Sequence, residues 1–492
     1  MNAVWQLWIC FLKGVYMNVQ FSDFLTTVKP VLKELLNELL SRYSYASILA
    51  TDTFGKTYRV QKSGTIISTS AFNLERGFVT KVFDGDIYCE YSFSDIDFSK
   101  IPEILTAIKD SLLPLKSKLP AGLTYHTYGQ IEDDSFSFSK TSEFELDPVV
   151  FGDEAIIKEL QSIYEIGSSK DERIINFSAS YEYCQTNKMF LSKGKDLEQG
   201  YLYSIGSVAA FASKGESVKY YGSNASSQCG VELLSQLKDK VDSVVSTALE
   251  ILDSEPLTPG EYECICDPDV SGLIAHEAFG HGVEMDMFVK KRALAENYMQ
   301  EYVASELVTM HDSSSVGNNT GSFFFDDEGT LASDTVIIDH GVLVKGMNDL
   351  QTAMTLGVAP TGNGRRENFS HKAYTRMTNT YFEPGTSTLD EMIASIKDGY
   401  LLEEGMSGME DPKNWGIQCM VNIAREIKDG KLTGKIFSPV ILTGYVPDLL
   451  KSISMVSNSL ELYGSGGCGK GYKEWVKVST GGPYIKAKVR LG

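Results

Sequence analysis

The stretch HEAFGH, residues 276 to 281, constrains the fold more than any other part of the chain. It sets His276 and His281 five residues apart. On a regular α-helix each residue advances about 100°, so the two rings would point roughly 140° apart. Histidines four apart, as in H-E-x-x-H, differ by only roughly 40° and suit one shared metal ion. For His276 and His281 to meet one ion the helix must gain a residue, which is what a π-bulge does. Gly280, just before the second histidine, eases such a distortion or ends the helix there. The spacing therefore predicts a distorted or terminating helix at residues 278 to 281. The candidate helix begins after DPDVSG, with Asp267 as a candidate cap and Pro268 tolerated in a first turn. The alternative is a pair of helix histidines making ordinary hydrogen bonds.

A catalytic zinc usually takes three protein ligands and keeps a position for water. The residues offer several third ligands: Glu284, three positions after His281, His311, His371, or Cys468 in YGSGGCGKG. The glycines around Cys468 permit close backbone approach, and its thiolate would make a His2Cys site. The same loop satisfies G-x-x-x-x-G-K through Gly464, Gly469 and Lys470. Gly471 stands where a phosphate-binding loop needs Ser or Thr for magnesium, which argues against a nucleotide site.

The chain has 492 residues, 42% hydrophobic, enough for two or three domains with substantial cores. A formal net charge of −20 argues against direct nucleic-acid binding, which draws on basic residues facing phosphates. Eight cysteines are scattered without disulfide-framework spacing, so reduced thiols in a cytoplasmic protein are expected. Cys264 and Cys266 in EYECIC read as buried strand cysteines. The apolar start, MNAVWQLWICFLKGVYM, lacks a basic segment and a cleavage site and is too short for a bilayer. Met17 opens a more conventional sequence, so residues 1–16 read as a non-native or disordered extension, and no membrane association is expected.

Helical periodicity runs over 22 to 42, with Phe24, Leu25, Val28, Leu32, Leu35, Leu36 and Leu39 on one face. Alternating runs such as YASILATD and GFVTKVFDG follow, then helices at about 101 to 117, 152 to 165 and 229 to 253. EPLTPGEYEC reads as a linker, after which short strands and glycine-rich loops take over. The expected division is an N-terminal α/β subdomain over 17–122, a second over 123–255, and a C-terminal domain over 256–492. The expected class is α+β: a mixed α/β region followed by a mainly β domain carrying the HEAFGH helix.

HEAFGHGVEMD, FFFDDEGT, GNGRRENFSHKAYTRMTNTYFEPG and GSGGCGKG, in that order, resemble the landmarks of the TldD/PmbA family of metalloproteases, also called modulators of DNA gyrase. They span most of residues 260 to 475, with a looser likeness in the N-terminal half. The resemblance implies one zinc ion per chain, held by His276, His281 and Cys468, with Glu277 as catalytic base. Because the H-E-x-x-x-H residues are retained, the chain resembles the active TldD type. The family forms homodimers or heterodimers with a related subunit and cleaves unfolded or extended peptides. After GCGK this chain continues GYKEWVKVSTGG where the family commonly has Gly-Gln and a Val-Pro run.

Arg365, Arg366 and Arg376 are candidates to grip a peptide carboxylate or a partner loop, or else to pair within this acidic chain. His371 and Asn379 are candidates to assist an oxyanion, with a buried hydrogen-bonding role as the alternative. The acidic triplet at 326 to 328, before Gly329, reads as a turn. The rival function is a non-catalytic peptide-binding or scaffolding subunit that modulates a partner protein. Zinc-dependent hydrolysis of a non-peptide amide is a third.

Overall fold

The computed structural model describes residues 16–69, 74–117, 129–470 and 473–492. The expected extension over 1–16 falls almost wholly outside the described residues, as does the expected boundary at 122.

The first helix, α1 (Asp23–Leu40), starts where the Ser22 hydroxyl accepts the Leu25 N–H, a side-chain cap for an otherwise orphaned donor. It buries Leu25, Val28, Leu32, Leu35, Leu36 and Leu39. Phe24, expected on the same face, sits at its rim beneath the Arg76 guanidinium, 4.0 Å from the ring centre. Strands β1 (Tyr45–Gln61), β2 (Leu74–Phe83) and β3 (Tyr88–Phe93) follow, then α2 (Ile101–Ser117) and α3 (Asp153–Ser168). Strands β4 (Ile174–Ser192), β5 (Lys195–Lys214) and β6 (Ser217–Ser227) and helix α4 (Leu233–Ile251) complete this half. The six strands lie in the order β6-β5-β4-β1-β2-β3, with every neighbour antiparallel. Strands on both sides of residue 122 thus share one sheet.

Side chains alternate across a strand, and β1 shows what each face is for. Ala46, Ile48, Ala50, Tyr58 and Val60 point to the face packed by the helices. Leu49, with Val79 and Phe190, points the other way and packs on Phe325 of the second half. One sheet therefore separates a helical layer from the C-terminal domain.

After α4 the chain runs into β7 (Gly260–Cys266) and helix α5 (Pro268–Leu273), capped by Asp267, whose carboxylate accepts the Val270 N–H at 2.8 Å. Later come β8 (Met310–Ser313), β9 (Asp334–Asp339), β10 (Asn379–Phe382), β11 (Asp398–Asp411), β12 (Gly416–Lys428) and β13 (Val440–Tyr445). The chain ends with β14 (Gly467–Lys470), β15 (Lys473–Lys477), β16 (Ser479–Gly482) and β17 (Ile485–Leu491). β7 pairs in parallel with β11; β12, β13 and β17 continue antiparallel; and β17 returns to pair with β7, so this sheet closes on itself. A second sheet runs β9-β8-β10-β16, its last pair parallel. β14 and β15 form a separate hairpin. The chain is α+β and mainly β in its C-terminal region, as expected. Cys264 and Cys266 are fully buried in β7, and no disulfide occurs among the described residues. No helix among them is long and apolar enough to cross a membrane.

The halves are joined by charges that the sequence did not pair. Asp327 pairs with Lys188 of β4, Glu328 with Lys81 of β2, and Arg366 with Glu90 of β3. Gln199 of β5 accepts the Phe324 N–H and donates to the Phe325 carbonyl, both at 2.8 Å. The triplet at 326 to 328 is the expected turn, since Asp326 accepts the N–H groups of Glu328 and Thr330. It is also the strap that fastens the C-terminal domain to the first sheet.

Candidate metal centre

Beyond α5 the backbone widens into a π-helical turn, Ile274–Gly280, and then tightens into a 3-10 turn, His281–Val283. The His281 N–H donates to the His276 carbonyl, five residues back. That bond is the extra residue made visible, and it brings the rings together, 5.2 Å between centroids at 82°. The distortion begins four residues before the expected position, at 274 instead of 278, because a whole π turn absorbs the insertion. Gly280 has ordinary helical φ, −56°, so conformational freedom is not its role. A Cβ there would fall 2.4 Å from the Met377 sulfur, so the residue is small because the helix packs tightly.

β14 carries Cys468 to the same point, across 187 residues of chain, with its Sγ 3.4 Å from His281 Nε2. One ligand atom from each of His276, His281 and Cys468 lies within 4.8 Å of the others. Tetrahedral ligands at zinc bond lengths sit about 3.3 to 3.6 Å apart. Two imidazoles and a thiolate are the donor class zinc prefers, so these residues fit such an ion. Burial opposes charge on all three, yet their mutual attraction prevails. The facing His281 and His276 hold the Cys468 thiol well below its ordinary range, and Cys468 with Glu284 raises His281 well above its own.

Each ligand is oriented from behind. Glu284, fully buried, meets His281 Nδ1 at 3.1 Å, which leaves Nε2 for the metal position. Its charge is matched by Arg376 at 3.4 Å and Lys470 at 3.2 Å. Burial would raise the Glu284 carboxyl, but Lys470 and His281 hold it well below the usual range. The fully buried Arg376 donates Nη2 to both the sulfur and the carbonyl oxygen of Cys468, each at 2.9 Å. Behind His276, Thr380 Oγ1 lies 3.4 Å from Nδ1 and donates to Asp312 at 3.3 Å. Asp312 also accepts the Thr378 N–H at 2.8 Å.

The Glu277 carboxylate stands 4.0 Å from His276 Nε2 and 3.9 Å from His281 Nε2. It reaches a cleft of about 1050 Å³ whose walls include Ser178, Ser207, Tyr220 and Asn224 of the first sheet and Gly408 and Glu410 of β11.

The other candidates separate clearly. Glu284 supports His281 from the side away from the cysteine and is not a third ligand in this arrangement. His311 lies elsewhere, bracketed by Asp334 at 2.9 Å and Glu383 at 2.8 Å. His371 faces Glu474 at 3.4 Å and Glu367 at 3.6 Å, a second grouping of possible ligand atoms. There Glu367 already accepts the Glu474 and Trp475 N–H groups. Arg376 touches Cys468, not the cleft surface. For two residues the geometry follows the alternative stated for each: Arg366 pairs within the chain, with Glu90 at 2.7 Å, and the fully buried Asn379 makes hydrogen bonds, donating to the Ser313 carbonyl and Ser322 hydroxyl. Arg365 lines a different cavity, between Lys188 and Tyr201 of the first sheet and Phe323 and Trp475 of the C-terminal domain. Sequence reading missed Asp312, Thr380, Lys470 and Gly408; nothing in their spacing ties them to the histidines.

The PmbA/TldA metallopeptidase C-terminal domain model matches residues 259–489. A metalloprotease of Methanocaldococcus jannaschii is 30% identical over 321 residues, 64% of this chain and 69% of that one. A metalloprotease TldD homolog of Haemophilus influenzae is 38% identical over 216 residues, 44% of each chain. A zinc metalloprotease TldD homolog of Saccharolobus solfataricus is 31% identical over 230 residues, 46% of this chain and 51% of that one. In structure the chain is similar to a Thermotoga maritima protein described as a modulator of a DNA gyrase, with TM-score 0.72 and 15% identity over 94% of this chain and all of that one. It is also similar to TldE from Thermococcus kodakarensis, with TM-score 0.69 and 17% identity over 93% of this chain and 99% of that one. The fold and the sequence relatives agree: this chain belongs to the TldD/PmbA family of metallopeptidases.

Proposed function

We propose that the protein is a zinc peptidase that cleaves unfolded or extended peptides, with one zinc ion per chain held by His276, His281 and Cys468. The observation that carries the reading is the meeting of those three ligand atoms with the Glu277 carboxylate beside them, open to the cleft. A zinc ion so held would acidify a water and polarise a carbonyl oxygen. Glu277 would take a proton from water in the cleft at a carboxylate oxygen and return it to the leaving amine. Glu284 and Arg376 keep His281 and Cys468 in the orientation that coordination needs. A cleft of about 1050 Å³ has room for several residues of extended chain but not for a folded domain.

A purely structural zinc needs no carboxylate at the position of Glu277, which favours catalysis over the scaffolding reading. The fold shared with TldE supports pairing with a second chain of this family. Exposed Met409, Met406 and Tyr445 on β11 and β13 offer apolar surface for it. The test is cleavage of a reduced, carboxymethylated protein by wild type and Glu277→Gln, with zinc content measured in both. Loss of cleavage with zinc retained is expected. Full cleavage by Glu277→Gln would overturn the assignment, and inactivity of zinc-loaded wild type on every unfolded protein tried would favour a binding subunit.

A further inference from the structure

The described residues hold a second group of metal-ligating side chains, distinct from the first: Glu367, His371 and Glu474. One ligand atom from each lies within 4.8 Å of the other two, the same closeness that unites His276, His281 and Cys468. His371 Nδ1 stands 3.6 Å from Glu367 Oε2 and 3.4 Å from Glu474 Oε2. Ordinary N–H···O bonds run from about 2.7 to 3.2 Å, so both gaps are long for hydrogen bonds. Nitrogen and oxygen ligands bonded at about 2.0 to 2.2 Å to a tetrahedral ion stand about 3.3 to 3.6 Å apart. Side chains drawn toward one point yet held off one another leave the space that an ion requires.

Charge points the same way. Two carboxylates face one imidazole, and among the described residues no lysine or arginine lies within ion-pair distance of either carboxylate. A protonated His371 would leave one negative charge over; a dication beside a neutral ring balances both. The three side chains are 19% to 29% exposed, so an ion can enter and water can complete its shell.

The protein side of the group is held in place. Phe369, in the turn between Glu367 and His371, packs against Gly77 of β2, where a Cβ would fall 2.4 Å from its ring. Arg366, fastened to Glu90 of β3, donates to the His371 carbonyl at 2.6 Å. Glu367 Oε2 accepts the Glu474 N–H at 2.8 Å and the Trp475 N–H at 3.3 Å, the backing that a ligating carboxylate commonly has.

We propose that Glu367, His371 and Glu474 bind a second divalent metal ion of the first transition row, one imidazole nitrogen and two carboxylate oxygens being donors that zinc accepts. Glu474 lies on β15, paired with the strand that carries Cys468, so the ion clamps that hairpin to the segment pinned on the first sheet. Lacking a thiolate and open to solvent, this site holds its ion less tightly than the buried centre. Gel filtration is expected to strip it and leave the first zinc.

The experiment is calorimetry on the full chain, gel-filtered with its first zinc in place and titrated with further zinc. Zinc is the demanding probe, because manganese and iron(II), earlier in the row, bind such donors more weakly. One further equivalent is expected in wild type. His371→Ala and Glu474→Gln are each expected to weaken it at least about tenfold, since even an outer-shell partner is worth about 10- to 100-fold. Zinc retained at the first centre in both variants shows that they fold. Glu383→Gln, which alters the exposed carboxylate beside His311, is expected to bind as wild type does. No further equivalent in wild type would overturn the proposal. So would wild-type affinity in His371→Ala or Glu474→Gln, which would mean adventitious binding to surface carboxylates only. None of these readouts involves cleavage, so failure here leaves the role of Glu277 untouched.

Discussion

Gly408 of β11 lies directly under Glu277, and replacing it with alanine should disable the carboxylate while sparing the metal. The added Cβ would fall 2.6 Å from Glu277 Cγ, 2.8 Å from Glu277 Cβ and 3.3 Å from Cys419 Sγ. Carbon atoms rest at about 3.5 to 4.0 Å, so the Glu277 side chain must yield by about 1 Å. Because Cβ and Cγ lie close to the helix backbone, the carboxylate has to swing to a new position; it cannot merely flex at its tip. The φ of Gly408 lies outside the left-handed region, so alanine brings no backbone strain and the effect is purely one of space. A displacement of that size costs on the order of 100-fold in turnover, or about 2.7 kcal/mol of transition-state stabilisation. Overpacking should lower stability by about 1 to 3 kcal/mol as well. The assay is kcat/KM on an unfolded protein, measured below the melting temperature of the variant, beside its zinc content. Zinc is expected at the wild-type level, since no atom of His276, His281 or Cys468 is touched. A variant that keeps its zinc and cleaves within twofold of wild type would refute the steric reasoning, the role of Glu277, or both.

Three further outcomes follow from other charged groups. Lys188→Met strands the buried Asp327 carboxylate and should lower stability to urea by about 3 to 5 kcal/mol, with Lys188→Met/Asp327→Leu recovering most of the loss. Burial, helped by Glu404, pushes the Asp269 carboxyl up to about 7 from 3.8. Between those values the folded chain keeps a proton that the unfolded chain has lost, so stability should fall as pH rises from about 4 to about 7. Urea midpoints at pH 5 and pH 7.5 should show a smaller drop for Asp269→Asn; an unchanged drop would remove Asp269 as its source. Arg376→Gln, which deletes the bond to the Cys468 sulfur, should weaken zinc binding about 10- to 100-fold in a chelator competition; unchanged affinity would reduce Arg376 to a packing role.

What could be read in advance was local or carried by motif. The face of α1 is written in the spacing of Leu25 to Leu39, and the π turn follows from a spacing of five between two histidines that are to share one ion. The pairing of that turn with Cys468 came from the resemblance, since a separation of 187 positions leaves no periodic trace. Strand pairing was not legible at all: the closure of β7 onto both β11 and β17 joins segments more than 130 residues apart. Nor were the charges behind the site. Arg366 and Arg376 look alike in GNGRRENFSHKAYTRMTN, yet one fastens to Glu90 of the first sheet and the other to the cysteine sulfur. Only the folded chain decides which carboxylate or thiolate an arginine meets.

The measurement that bears most directly on the account is zinc per chain, by plasma mass spectrometry, in wild type and Cys468→Ser, with His311→Ala as a control away from the site. One zinc per chain in wild type and in His311→Ala, and little in Cys468→Ser, is the expected result. Zinc retained at the wild-type level by Cys468→Ser, or absent from wild type even after reconstitution, would contradict a centre built from the π turn and the β14 hairpin.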